Sequence, residues 1–329
     1  MRRRAIAGIL PALVLGAAVA VVTPARFGAV TTLPALPTGS LAAVASFPVD
    51  KFLAHWWVFP ASILFSFVAL AAGVSGALFF SPFFLLVVGL GPAQAIGAGL
   101  LTEVFGMGNG LRAYVKQGVV DYATAKWLLL GAVPAVGAGA FAAHYVPDTA
   151  LRAVFGIGLL ALGGFILYYD PPEECEPGER EGEYLREKNS GRDTTVIEAA
   201  DGQRFSYQTC WRTPGVALAT VGGFVTGLIS AGLPEIVTTQ LVIRCRLPPR
   251  VAIATSVFVL AIAAVAGALV HALTAAPVWY VVVWSFPGVV IGGTVGSRAG
   301  KCLPSDLMEQ GLGIVFVFVA GIVLVTTFL

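Results

Sequence analysis

WWVFPASILFSFVALAAGVSGALFFSPFFLLVVGLGPAQAIGAGLLT, residues 56–102, contains no Asp, Glu, Lys or Arg, and neither does a second run of the same 47-residue length, Val251–Ser297. A soluble helix needs only one apolar stripe. A segment surrounded by hydrocarbon must be apolar all round, because a charge at mid-bilayer costs about 2.5–3.5 kcal/mol even on lenient insertion scales. The two runs therefore define a polytopic membrane protein. The rest of the chain agrees: its 329 residues are 57% hydrophobic and 12% charged, with a mean hydropathy of +0.86, against about 25% charged in soluble domains.

The bulk numbers also exclude functions. A net charge of +2 without a basic stripe leaves no footprint for nucleic acid. No Walker, HExxH, GxSxG or dinucleotide motif is present, so no catalytic residues, metal or cofactor are expected. Cys175, Cys210, Cys245 and Cys302 form no CxxC pair, which argues against zinc or iron–sulfur. Cys175 and Cys210 share a polar segment and could pair in an oxidising compartment. With that segment placed in the cytoplasm, unpaired thiols are expected.

Outward from the first run, Arg2–Arg4 precede the apolar stretch Ala5–Thr23. It reads as a first membrane helix or a signal peptide, and a retained helix is the expectation. Residues 56–89 are too long for one straight crossing, at about 50 Å against a core of about 30 Å. They are interrupted by Gly73, Gly76 and Ser81-Pro82. Spans are expected near 92–111, 126–144 and 151–169. Residues 214–243 repeat the broken pattern with Gly222, Gly223, Gly227, Gly232 and Pro234, and spans near 250–272, 277–297 and 308–328 close the chain. Between the halves, Asp170–Arg212 holds 11 of the 18 acidic residues. Its first part is Gly/Pro-dotted and polar. Its second part, TTVIEAADGQRFSYQTC, alternates about Asp201-Gly202 and reads as a β-hairpin.

The halves look duplicated. Pro92-x-x-Ala95-Ile96 matches Pro249-x-x-Ala252-Ile253, and Pro147, Gly156 and Gly164 match Pro304, Gly313 and Gly321 at equal intervals. The fold expected is an all-α polytopic membrane protein of two four-element repeats, each a broken or re-entrant helix pair plus three spans. An N-terminal helix and a small β-hairpin in a cytoplasmic central loop are added to them. The corresponding divisions are 1–55, 56–169, 170–213 and 214–329. If both broken pairs re-enter, Arg2–Arg4, Arg112, Lys116, Lys126, Arg244, Arg246, Arg250, Arg298 and Lys301 all face the cytoplasm; the repeats are then inverted, with seven full spans. If both cross, there are nine spans, the repeats are parallel, and Arg112, Lys116 and Lys126 lie outside. The inverted arrangement is preferred, because half-helices meeting mid-membrane recur as transporter sites.

The candidate site residues follow from isolation in apolar surroundings. Glu235, at the second break, is a coupling or gating acid, or a structural acid holding frayed amides. Glu103 closes the first run, and Gln240 follows the second break; both join Glu235 as coupling or gating candidates. Ser75, Ser81, Asn109, Ser230, Thr238, Thr239, Thr255 and Ser256 could donate hydrogen bonds to a small oxyanion without a fixed countercharge. Each could equally bond its own helix backbone, and Thr102 adds a further hydroxyl. His144 and His271 read as interfacial packing or a pH sensor. The expected partners are a small anionic substrate and the lipid bilayer, with a homo-oligomer left open and no nucleic acid.

These residues carry a family resemblance. Gly73-Val-Ser-Gly76-Ala-Leu-Phe-Phe-Ser-Pro82, Ala95-Ile96, Tyr114-Val-Lys116 and Val120-Asp121 resemble the first half of the sulfite exporter TauE/SafE permeases. Gly223-Phe-Val-Thr-Gly227-Leu-Ile-Ser-Ala-Gly232 and Ala252-Ile-Ala-Thr255-Ser256 resemble the second. The likeness covers about Phe59–Tyr169 and Pro214–Val325. Ala77–Ser81 and Leu233-Pro234-Glu235 stand where the family often carries further glycines. The resemblance implies a permease moving a small sulfur-containing anion, such as sulfite or an organosulfonate, out across the cell membrane. Proton-coupled uptake of such an anion, and a scaffold or sensor acting through the central loop, are the competing functions.

Overall fold

Glycine and proline decide where the long apolar runs cease to be helix, and the computed structural model places those interruptions. It describes residues 49–72, 75–168, 194–200, 202–208, 211–274, 278–299 and 305–328. The expected N-terminal helix, most of the central loop and Asp201 lie outside them. The described helices are α1 (Val49–Ala54), α2 (Val58–Ala72), α3 (Ala77–Leu86), α4 (Pro92–Gln117), α5 (Tyr122–Ala143) and α6 (Asp148–Tyr168). After the strands β1 (Thr194–Glu198) and β2 (Arg204–Gln208) come α7 (Arg212–Ile229) and α8 (Leu233–Thr239). A π-turn, Gln240–Arg244, extends α8, and α9 (Pro249–Thr274), α10 (Trp279–Ala299) and α11 (Ser305–Phe328) complete the chain. Four of the described helices, α5, α6, α9 and α10, are long and apolar enough to cross a membrane by length and composition alone.

One expected breakpoint moves. Pro82 lies inside α3 rather than in the interruption, which falls before Ala77. It is the sixth residue of the helix, so its missing N–H and ring disturb only the single turn behind it.

The helices pack in crossed pairs: α2 on α10, α5 on α7, α6 on α11, and the two 26-residue helices α4 and α9 on each other. Lipid tails are as apolar as leucine, so close backbone approach has to hold such pairs together. Gly288, Gly292 and Gly296 on α10 lie directly against backbone atoms of Phe59, Ile63 and Phe67 on α2. Gly131 and Gly139 on α5 do the same against Val216 and Phe224 on α7.

Both broken elements fold back on themselves. Along the first, Phe83 of α3 packs edge-on to Phe65 and Trp57 at ring distances of 4.9 and 5.6 Å. Along the second, Leu233 and Ile236 lie beside Gly222. Further along, Gln240 Nε2 reaches the Gly215 carbonyl at 3.4 Å and Arg244 reaches the Trp211 carbonyl at 3.2 Å. The end of the π-turn is thus next to the start of α7.

The β-hairpin forms as the alternation in its sequence demands, antiparallel with Thr195 opposite Tyr207 and Ile197 opposite Phe205. It is more than a solvated ribbon, because its apolar face seals helix ends. Tyr207 is 2% exposed. Ala200 N–H donates to the Gln117 carbonyl at 2.9 Å, and Arg250 donates to Gln117 Oε1 and Gln203 Oε1 at 2.9 and 3.0 Å. Burial, reinforced by the neighbouring Asp121 carboxylate, pushes the Tyr207 hydroxyl above the ordinary phenol range. That hydroxyl makes no hydrogen bond of ordinary geometry.

A two-stranded hairpin is marginal alone, so Tyr207→Ala is expected to release it, at about 3–5 kcal/mol for a lost buried aromatic. The measurement is faster proteolysis between residues 194 and 208. Tyr207→Phe should stay within about 1 kcal/mol of the parent, since no hydrogen bond is lost. A raised phenol pKa favours the neutral folded form, so this contribution persists below about pH 10 and fades above it.

The expectation of unpaired thiols is corrected at Cys245, which is held in a disulfide. Compartment alone does not decide bonding, which depends on which sulfur atoms the fold brings together. Cys175, Cys210 and Cys302 lie outside the described residues.

Candidate transport site

The second break is built by two residues with unusual backbone, Ser230 and Gly232. Ser230 takes a left-handed conformation at φ 58° and ends α7, its N–H still bonded to the Thr226 carbonyl at 2.7 Å. Gly232, at φ 118°, occupies a conformation that any side chain would strain. Leu233 and Pro234 then open α8, where proline's missing N–H costs nothing. The exposed amides are not left bare. Leu233 N–H donates to Thr226 Oγ1 at 2.7 Å, and Gly232 N–H donates to Glu235 Oε2 at 3.1 Å. Glu235 thus closes its own helix start, as a third-position acid commonly does.

The first break carries the same chemistry from another direction. Ser75 Oγ donates a very short hydrogen bond to Glu103 Oε1 on α4. The amides of Gly76 and Ala77, at the start of α3, also act on this carboxyl. Glu103 is 2% exposed, and its Oε2 and the neighbouring Thr102 Oγ1 are buried with no partner among the described residues. Glu103 and Glu235 lie close enough for their charges to interact. The carboxyls therefore occupy the amides at the starts of both half-helices.

The breaks are joined directly. Ser81 of α3 and Ser230 share a 2.5 Å hydrogen bond, and both are buried. Ser81 fits there because Gly99 on α4 has no side chain; a Cβ would collide with its hydroxyl. Ser75, Ser81, Ser230, Glu103 and Glu235 thus form one central group. Thr226, which the sequence reading passed over, belongs with them; its signal was a hydroxyl one turn before the break.

The other candidates lie elsewhere. Thr238 donates to Ser256 at 2.6 Å, in a separate link between α8 and α9. Thr255 accepts the Asp121 N–H at 3.0 Å, at the end of the bundle covered by the β-hairpin. Thr239 is half-buried at the end of α8. Gln240 bonds Gly215 near the root of the second hairpin. Asn109 lies on α4, and its side chain is outside the described residues.

The two histidines come together, with rings 5.5 Å apart. Each bonds a backbone carbonyl at 3.1 Å, His144 that of Ala140 and His271 that of Gly227. Burial holds His144 below its ordinary value. Among the described residues, no group of three His, Cys, Asp or Glu could hold a metal.

Broken helices that meet at a buried centre of hydroxyls and carboxyls, inside a helical membrane bundle, fit a membrane transporter. The chain belongs to the sulfite exporter TauE/SafE family, whose pattern matches residues 58–323. It is similar to the probable membrane transporter protein YunE of Bacillus subtilis (strain 168), with 24% identity over 229 residues, 69% of this chain and 79% of that protein. No solved structure matches it. The chain is a multi-pass membrane transporter and not an enzyme.

Proposed function

We propose that this transporter exports a small sulfur-containing anion, such as sulfite or an organosulfonate, through the centre where the two breaks meet. The observation that carries the reading is the Ser81–Ser230 hydrogen bond, which joins the two halves at hydroxyls beside two half-helix starts. Hydroxyls and amides can hold an oxyanion without a permanent countercharge, and a carrier must grip its cargo only modestly. The substrate class and the outward direction come from the family description. An unaccompanied anion leaving a negative interior gains about 2.3 kcal/mol per charge per 100 mV.

Proton-coupled uptake is the second reading, and one observation favours it. Glu103 and Glu235 already engage the amides that an anion would use. An anion can approach a buried carboxylate only if that group is neutralised or swings aside, so a proton would travel with it. Such a pair moves without net charge, and the proton gradient then drives it inward.

The domain reading is part of this proposal: two inverted repeats, about 56–169 and 214–329, on either side of the polar segment. Reciprocal contacts support it. Gly156 packs on Leu324 and Gly313 on Leu167; Gly131 faces Val216 and Gly288 faces Phe59; Gly139 faces Phe224 and Gly296 faces Phe67. In every couple the matched residues lie 157 positions apart. The helices that follow the two hairpins pack antiparallel, Gly97 of α4 on His271 and Gly267 of α9 on Leu100. Arg212 at the start of α7 stacks over Trp127 near the start of α5, at 4.6 Å. Trp57 at the start of α2 lies beside Phe83, near the end of α3.

Proteoliposomes loaded with sulfite, thiosulfate, sulfate or sulfoacetate test the reading. Efflux of at least one sulfur anion, accelerated by an imposed potential that is negative inside, is expected of the exporter. Accumulation driven by an inward pH gradient instead selects coupled uptake, and no flux of any of the four removes the substrate class.

A further inference from the structure

We infer that a second ligand site lies at the root of the second hairpin, and that it takes the phosphate of a hydroxyl-bearing phosphate ester, either the phosphoglycerol headgroup of an anionic lipid or a soluble glycerol phosphate. The site is a small cleft of about 50 Å³ between the first turns of α5 and α7, the π-turn and β1.

Its chemistry follows from how the walls are made. The π-turn widens the helix, a distortion often found at functional sites, and places Arg244 where its guanidinium donates to the Trp211 carbonyl at 3.2 Å. Gly215 leaves room for that group, which sits 3.4 Å from where a Cβ would stand. Across the cleft, Arg212 is held 4.6 Å above the Trp127 ring. Stacking of this kind orients a guanidinium and leaves its edge to donate. No acidic side chain is among the described residues lining the cleft. The nearby Asp121 carboxylate is engaged at the start of α5, accepting from Ala123 N–H, Thr124 N–H and Thr124 Oγ1 at 3.0, 3.1 and 2.5 Å.

Two guanidinium groups in one cleft match the oxygens of a phosphate. The third feature sets the rest of the ligand. Gln240 is 5% exposed; its Nε2 is spent on Gly215, and its Oε1 is buried without a hydrogen-bond partner among the described residues. An acceptor beside two cations calls for a ligand with a hydroxyl donor next to its phosphate. Exposed Trp211 and Trp127 border the cleft, as tryptophans do at the headgroup level of a bilayer.

The test uses the purified full-length protein in detergent, titrated with dioctanoyl phosphatidylglycerol, dioctanoyl phosphatidylcholine, glycerol 3-phosphate and inorganic phosphate, with thermal unfolding as readout. Phosphatidylglycerol is expected to raise the unfolding midpoint, and phosphatidylcholine is not. Arg212→Gln, an exposed change that should not disturb folding, is expected to raise the half-saturating concentration about tenfold, as loss of one charged hydrogen bond does. Arg152→Gln, on α6, is expected to leave it unchanged. Gln240→Leu should weaken phosphatidylglycerol but not inorganic phosphate. Stabilisation by glycerol 3-phosphate equal to that by the lipid assigns a soluble ester, and stabilisation by the lipid alone assigns the headgroup. Equal response to phosphatidylcholine, no response to any probe, or a response that Arg212→Gln leaves intact overturns the site. Because the readout is binding, this result is independent of any anion flux.

Discussion

Where a proton accompanies the anion, replacing Glu103 by Gln is expected to flatten the dependence of anion flux on an imposed pH gradient and to lower the gradient-driven rate about tenfold to a hundredfold; uncoupled export predicts no change. Gln preserves shape and can still accept from Ser75, but it cannot carry a proton. The bond it weakens joins a buried hydroxyl to a carboxyl, and hydrogen bonds to charged groups contribute about 1.5–3 kcal/mol. Glu235→Gln should have a mixed effect, because the same carboxyl also closes the start of α8 through Gly232. Some loss of thermal stability should accompany its loss of pH response. The measurement is initial rate in proteoliposomes at matched protein content, with pH varied on one side at a time. If both single variants and the double variant keep the parent's pH response, the carboxyls are structural and uncoupled export stands.

Gly292→Leu is expected to be the most damaging single change to the fold. A Cβ at this position would collide with backbone atoms of Ile63 on α2, and backbone cannot move aside as a side-chain tip can. The glycines on either side, Gly288 and Gly296, meet Phe59 and Phe67 in the same way, so the crossing cannot pivot to relieve the clash. Ordinary overpacking costs about 1–3 kcal/mol, and this contact should reach the upper end or exceed it. A fall of roughly 6–12 °C in the unfolding midpoint follows at about 2–4 °C per kcal/mol. Gly321→Leu is the control, since nothing lies within 4 Å of its Cβ position. Equal behaviour of the two variants would show that close backbone approach does not hold α2 to α10.

Much of the fold was legible because hydrocarbon is an unforgiving solvent. The expected spans coincide with α4, α5, α6, α9, α10 and α11 to within a few residues at most ends. The β-hairpin appears where alternation and Asp201-Gly202 placed it. The site was legible in kind rather than in membership. Glu235 stood out as an isolated acid beside a break, and it does sit on the half-helix amides. Ser81 and Ser230 are 149 positions apart, and nothing local ties one to the other. Thr255 read as a binding hydroxyl because it opens a span, yet its oxygen is committed to the Asp121 N–H. That the half-helix amides are already engaged by the chain's own carboxyls follows only from the fold.

Composition and spacing alone established that this chain lives in a membrane and that its long apolar runs are interrupted. Those properties depend on solvent, backbone sterics and residue order, which are local. Which hydroxyls meet at the centre, which carboxyl faces which amide, and how the ribbon closes over helix ends were decided only by tertiary packing. A hydrogen bond between distant residues exists only once helix crossings bring two side chains within about 3 Å. Here the crossings are set by glycines whose partners lie in the other half of the chain.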